Sequence, residues 1–163
     1  MNENSKSTLH IRRESILGAA SAGFFFVLIG AIFIATPKLS EEVINFFQGF
    51  KAATVPHTNV TLFAPEFPRN HLPVYSAAQQ FALVWGFFLI AMLALRFVMH
   101  SPLRKKAENL SDIVFWFGTA YLIQTWLVET TRWFEFWALL IALIGFTLIV
   151  RAIVLATALI ESS

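Results

Sequence analysis

The stretch ILGAASAGFFFVLIGAIFIA, Ile16 to Ala35, decides the fold, because it runs for 20 residues without a charge. A helix rises about 1.5 Å per residue, so a run of this length crosses a hydrocarbon core of about 30 Å. Pro37 marks its end. Three further stretches follow the same pattern. Residues 77–99 contain Arg96 as their only charge, and residues 134–160 hold Glu135 at the start and Arg151 near the end. Residues 113–128 are shorter and carry Thr119, Tyr121, Gln124 and Thr125. Phe115, Trp116, Phe117, Trp126 and Leu127 still keep this third stretch apolar enough to insert. Backbone polar groups cannot be left unpaired in lipid, so each stretch is expected to be helical. The expected fold is all-α: a single-domain, polytopic bundle of four transmembrane helices.

Composition agrees with this reading. The chain has 163 residues, of which 57% are hydrophobic and 13% charged. A soluble domain carries about 25% charged residues, so too little polar surface is left to cover a water-soluble globule. A net charge of +2 gives no reason to expect nucleic acid as a partner. Cysteine is absent, which excludes disulfides, thiolate metal ligands and thiol catalysis. The first apolar run is longer than the 7–15 residues of a signal sequence and no A-x-A pattern follows it, so a retained anchor is expected.

Basic residues set the expected orientation. With four spans both termini share a side. That side then carries Lys6, Arg12, Arg13, Arg104, Lys105 and Lys106, with Arg96 and Arg151 reaching toward it from the ends of their helices. The opposite side carries Lys38, Lys51, Arg69 and Arg132. The termini (residues 1–15 at the N-terminal end) and the 100–112 link are therefore expected in the cytoplasm, and residues 36–76 and 129–133 outside. Trp126, Trp133 and Trp137 flank the outer turn, where tryptophan suits a membrane interface. Arg12, Arg13, Arg104, Lys105 and Lys106 are candidate contacts for anionic lipid headgroups as well as topology signals.

The outer segment has two halves. Leu39, Val43, Phe46, Phe47 and Phe50 recur on one helical face, with Glu41, Glu42, Asn45, Gln48 and Lys51 on the other, predicting an amphipathic helix over about 38–52. It is expected to pack over the ends of the bundle. Pro56, Pro65, Pro68 and Pro73 then predict an extended, turned path. Its apolar residues, Phe63 and Phe67 among them, require cover from the bundle or a partner. Asn59-Val60-Thr61 matches the glycosylation acceptor pattern. On the cytoplasmic side, Ser101-Pro102 reads as an N-cap followed by proline in the first helical turn, so the third helix is expected to begin near Pro102 as a basic extension.

Candidate chemistry is sparse. No Asp or Glu falls in the middle of a span, which disfavours proton relay and carboxylate ion coupling. His57, Glu66 and His71 share a side, but their spacing matches no compact metal motif. No phosphate-cradling glycine loop or nucleophile elbow is present. No catalytic residue, cofactor or metal site is assigned. The intramembrane polar positions singled out are Tyr121, Gln124 and Arg151, with Gln124 expected to bond between helices. Small residues recur four apart at Gly18/Ala22, Ala19/Gly23, Ala78/Ala82/Gly86 and Ala138/Ala142. Such pairs allow close helix approach, and most are expected to be used within the chain.

Ala35-Thr36-Pro37 at the end of the first span, Tyr75-Ser76-Ala77-Ala78 leading into the second and the Ser101-Pro102-Leu103 link resemble small, uncharacterised four-span membrane proteins of prokaryotes, archaea among them. The resemblance is one of layout across most of the chain and implies no activity. The expected role is non-enzymatic: an accessory or assembly subunit, or a self-associating bundle. Its partners are membrane lipids and either a second copy or other membrane subunits, met through the small-residue faces or the outer segment. The alternatives are an oligomeric transporter or channel for a small neutral or apolar solute, and a lipid-modifying enzyme resting on His57, Glu66 and His71.

Overall fold

A computed structural model of the chain describes the backbone over residues 3–160 and side-chain surroundings over residues 15–157. The described residues are mainly helical: α1 (Glu3–Ala35), α2 (Leu39–Gln48), α3 (Leu72–Val98), α4 (Leu103–Leu122) and α5 (Trp133–Ile160). A hairpin of β1 (Phe50–Thr54) and β2 (Thr61–Pro65) separates α2 from α3, and a 3-10 turn at Pro68–His71 leads into α3. A π-helical segment, Ile123–Glu129, continues α4 toward the outer turn. Three helical stretches are long and apolar enough to cross a membrane: Ser15–Ala35, Pro68–Val98 and Trp133–Thr157. Only 22% of the α3 span and 6% of the α5 span are buried inside the chain, so their apolar surface faces outward. Contiguous apolar surface on that scale requires a nonaqueous environment or a partner.

The helices pack antiparallel in sequence order. Phe24 stacks on Phe88 of α3, whereas Ile32 and Phe33, further along α1, line one cavity with Val74 and Ala77 near the start of α3. Asn109 Nδ2 donates to the Leu89 carbonyl at 2.9 Å, and Phe117 reaches back to Gly86. Ser111 Oγ donates to the Thr147 carbonyl at 2.8 Å, and Gly118 faces Leu143. α4 therefore lies between α3 and α5. The α3–α4 link, the N-terminal end of α1 and the C-terminal end of α5 fall at one end of the bundle.

The opposite end carries the cap. Phe46 of α2 is buried, with edge contacts to Phe50, His71, Tyr75 and Trp133 at ring separations of 5.0–5.9 Å. Phe46 and Tyr75 join Leu122, Ile123, Leu127 and Phe136 in the core. A two-stranded hairpin is marginal alone. This one gains support from buried Ala64, from a Trp133 Nε1 bond to the Phe63 carbonyl at 3.3 Å, and from a Lys51–Glu66 ion pair at 2.6 Å.

Several boundaries differ from expectation. The amphipathic helix ends at Gln48 rather than near residue 52, because residues 50–54 pair with 61–65 as a strand. Phe47 points away from the bundle with 68% exposure, so only Leu39 and Phe46 of the expected face are buried. α3 begins at Leu72, ahead of residue 77, because Pro73 is tolerated in the first helical turn, where its missing N–H costs nothing. α4 begins at Leu103 as expected, but Pro102 holds the N-cap position that had been expected of Ser101.

Of the small-residue sets, Ala82 and Gly86 are buried, Gly86 against Phe117 of α4, whereas Gly18 and Gly23 have open space where a Cβ would sit. The expectation that the chain would use most of these pairs internally is corrected on this point. A Cβ at Gly86 would lie 3.0 Å from the Phe117 ring. Gly86→Leu is expected to cost about 1–3 kcal/mol through overpacking, whereas Gly23→Leu should leave the monomer's unfolding midpoint unchanged. Thermal unfolding of both variants in micelles measures the difference.

Candidate functional site

The three positions singled out inside the membrane do not converge. Tyr121 is 67% exposed on the outward side of α4. Gln124 lies in the π-helical segment, and its Nε2 donates to Glu129 Oε1 at 3.0 Å. That spacing of five residues matches the i→i+5 geometry of a π turn. Gln124 thus makes a local bond instead of the interhelical bond expected of it. Thr119 is buried between helices. Arg151 lies at the far end of the bundle, on α5, where its Nη2 donates to Glu108 Oε1 at 2.8 Å.

The other sequence candidates also separate. His57 sits in the hairpin loop at φ 63° and Glu66 pairs with Lys51, while His71 is buried beneath Phe46. Among the described residues, no group of three His, Cys, Asp or Glu side chains is placed to hold a metal ion. Asn59 is exposed in the loop between the strands. Arg12 and Arg13 lie on α1 outside the residues whose side chains are described.

What the structure does bring together is a charged cleft of about 390 Å³ between α4 and α5. α4 supplies Glu108, Ser111, Asp112 and Phe115, and α5 supplies Ile144, Thr147, Leu148 and Arg151. These residues fall one helical turn apart on facing stripes, which is why two antiparallel helices align them. Glu108 is the hub. It accepts from Arg151, from Arg104 Nε at 3.3 Å and from Lys105 Nζ at 3.2 Å. The third basic residue of the link, Lys106, turns instead to α3, with Nζ 4.4 Å from the Phe97 ring centre. Arg96 of α3 caps the arrangement by donating from Nη1 to the Lys105 carbonyl at 2.6 Å.

Asp112, one turn beyond Glu108 on α4, is open to the cleft and forms no salt bridge within 4.0 Å among the described residues.

The sequence singled out Arg104, Lys105 and Arg151 but not Ser111, Asp112 or Thr147, and it gave Arg151 no acidic partner. The available signal was the run Glu108, Ser111/Asp112, Phe115 on one helical face, matched by Ile144, Thr147/Leu148, Arg151 on another.

No protein-family model, curated protein or solved structure matches the chain, so its role is read from its own geometry.

Proposed function

We propose that the chain is a non-enzymatic, four-span protein of the cell membrane, with both termini in the cytoplasm, that works by associating with other membrane helices through α1. The observation that carries this is the open small-residue face of α1. Gly23 and Gly30, seven residues apart and so on one side of α1, have no neighbour within 4 Å of a Cβ position, nor does Gly18, about 140° round the helix from Gly23, and among the described residues the extensive helix contact of α1 is with α3. In lipid no hydrophobic force drives helices together, and close backbone approach at small residues supplies much of the attraction. A face of glycine and alanine left uncovered along a spanning helix is thus suited to a second helix, either from another copy or from another membrane subunit.

Four spans are supported by the antiparallel order of α3, α4 and α5. α3 ends and α5 ends at the link side, so the chain between them must return across the same thickness through α4 and its π-helical continuation. The orientation is supported by charge. Arg96, Arg104, Lys105, Lys106 and Arg151 gather at the link end, where α1 with Arg12 and Arg13 also begins, against Lys38, Lys51, Arg69 and Arg132 toward the cap end.

Two measurements test these points. In intact cells an impermeant thiol reagent should label Glu66→Cys and not Ser5→Cys; the reverse pattern would invert the assigned topology. After gentle extraction, native mass spectrometry should find oligomers or a co-purifying membrane subunit, and the Gly18→Leu, Gly23→Leu double variant should release monomer of unchanged thermal stability. A wild-type monomer with nothing bound would sink the association.

A further inference from the structure

We propose that the cleft between the β1–β2 hairpin and the first two turns of α5 holds an acyl chain of a phospholipid from the leaflet at the cap end. The inference rests on the reading of the chain as membrane-embedded, which places the outward side of α5 in lipid.

One bond builds the cleft. Trp133 Nε1 donates to the Phe63 carbonyl at 3.3 Å and pins β2 beside the start of α5. Between them lies a cavity of about 430 Å³. Leu62 and Phe63 form one wall, and Trp133, Trp137, Ala138 and Ile141 form the other. No charged side chain lines it. The α5 wall belongs to the outward side of that helix. Trp137, Ala138 and Ile141 are exposed, whereas Phe136, Leu139, Leu140 and Leu143 face the core. Only 6% of the α5 span is buried, so the cleft is continuous with surface that meets lipid. The small side chain of Ala138, between Trp137 and Ile141, leaves the space open.

Dimensions select the occupant. Trp133 and Ile141 are separated by about 12 Å along the helix axis. Over that length the cavity has a mean cross-section of roughly 35 Å². A helix with its side chains is 10–12 Å across and needs roughly 80 Å² or more. A spanning helix of a second copy or of another subunit is therefore too wide, whereas a hydrocarbon chain fits. The polar groups agree with entry from the leaflet. A two-stranded hairpin leaves the outer edges of its backbone unpaired, and these need water or headgroups. The hairpin thus stays at the membrane boundary while Leu62 and Phe63 reach lipid. The indole N–H of Trp137 makes no hydrogen bond among the described residues, and the ester carbonyl at the head of an acyl chain can accept it.

The test uses the full chain, first confirmed to stay in the membrane fraction at alkaline pH, then purified in a mild detergent with dioleoyl phosphatidylcholine. Native mass spectrometry at rising collision energy should show a phosphatidylcholine retained on the chain after looser lipid is stripped. Ala138→Trp fills the cleft and should lose that lipid, with helicity as in the wild type. Ile149→Trp, exposed on the same helix outside the cleft, should keep it. Ile141→Ser makes the deep end polar and should weaken retention, which keeps the test decisive if the bulkier variant misfolds. Lysophosphatidylcholine, which still has an acyl chain, should displace the lipid, and soluble phosphocholine should not. Retention unchanged in Ala138→Trp or Ile141→Ser, equal loss in Ile149→Trp, or displacement by phosphocholine would each overturn the chain site. Loss of a dimer in place of a lipid in Ala138→Trp would also overturn it, by assigning the cleft to a second copy. Release of the chain by alkaline washing would instead overturn the membrane reading beneath it.

Discussion

Two buried hydrogen bonds from one turn of α4 fix the register on which the bundle depends. Asn109 donates to the backbone of α3 and Ser111 to the backbone of α5, at 2.9 and 2.8 Å. Such interhelical bonds contribute about 0.6–2 kcal/mol each in membrane proteins, too little to hold a bundle together by strength alone. Their effect is positional. Apolar helices can slide and rotate at small cost, whereas a buried amide or hydroxyl has few places where it is satisfied. With α4 fixed between its neighbours, Phe117 falls opposite Gly86, Leu143 opposite Gly118, and Arg151 within reach of Glu108. The charged cleft follows from the same register.

The two ends of the bundle are built on different physics. At the cap end, rings from four separate elements close around Phe46, and a short hairpin is carried on Trp133. At the link end, the organising group is one carboxylate, Glu108, shared among cations from α4 and α5. α1 takes little part in either. It is fastened to α3 by stacked rings, Phe24 on Phe88 at 4.1 Å among them, and leaves its glycines uncovered. Among the described residues α1 is thus held mainly by α3, and most of its remaining surface is bare.

Turns were the least legible feature, for a specific reason. Glycine is the usual signal for a left-handed turn residue, yet no glycine among the described residues has positive φ. Lys38, His57, His100 and Thr131 occupy the left-handed region at four of the turns. Glycine serves close packing instead, as at Gly86 and Gly118. The helical pattern of residues 38–52 was misleading in a related way. Phe50 and Lys51 continue the amphipathic period, but β2 supplies partners for their backbone, and pairing at a distance overrides a local periodicity. The π-helical segment has no sequence signature of its own, and it converted Gln124 from an expected interhelical bridge into a local bond.

By itself the sequence determined the apolar stretches, the basic link between the second and third of them, and the absence of cysteine. These are properties of composition and local period, set by the thickness of a bilayer and the pitch of a helix. Only the tertiary structure decided which polar groups meet. Glu108 and Arg151 are far apart in sequence, and Asp112 comes to line a cleft with Arg151 only because α5 packs beside α4. The same holds for the small-residue faces: a stripe on one helix does not reveal whether another helix of the chain covers it. That depends on rotation and register, which here were fixed by two side-chain bonds whose partners are backbone carbonyls, and every residue has one of those.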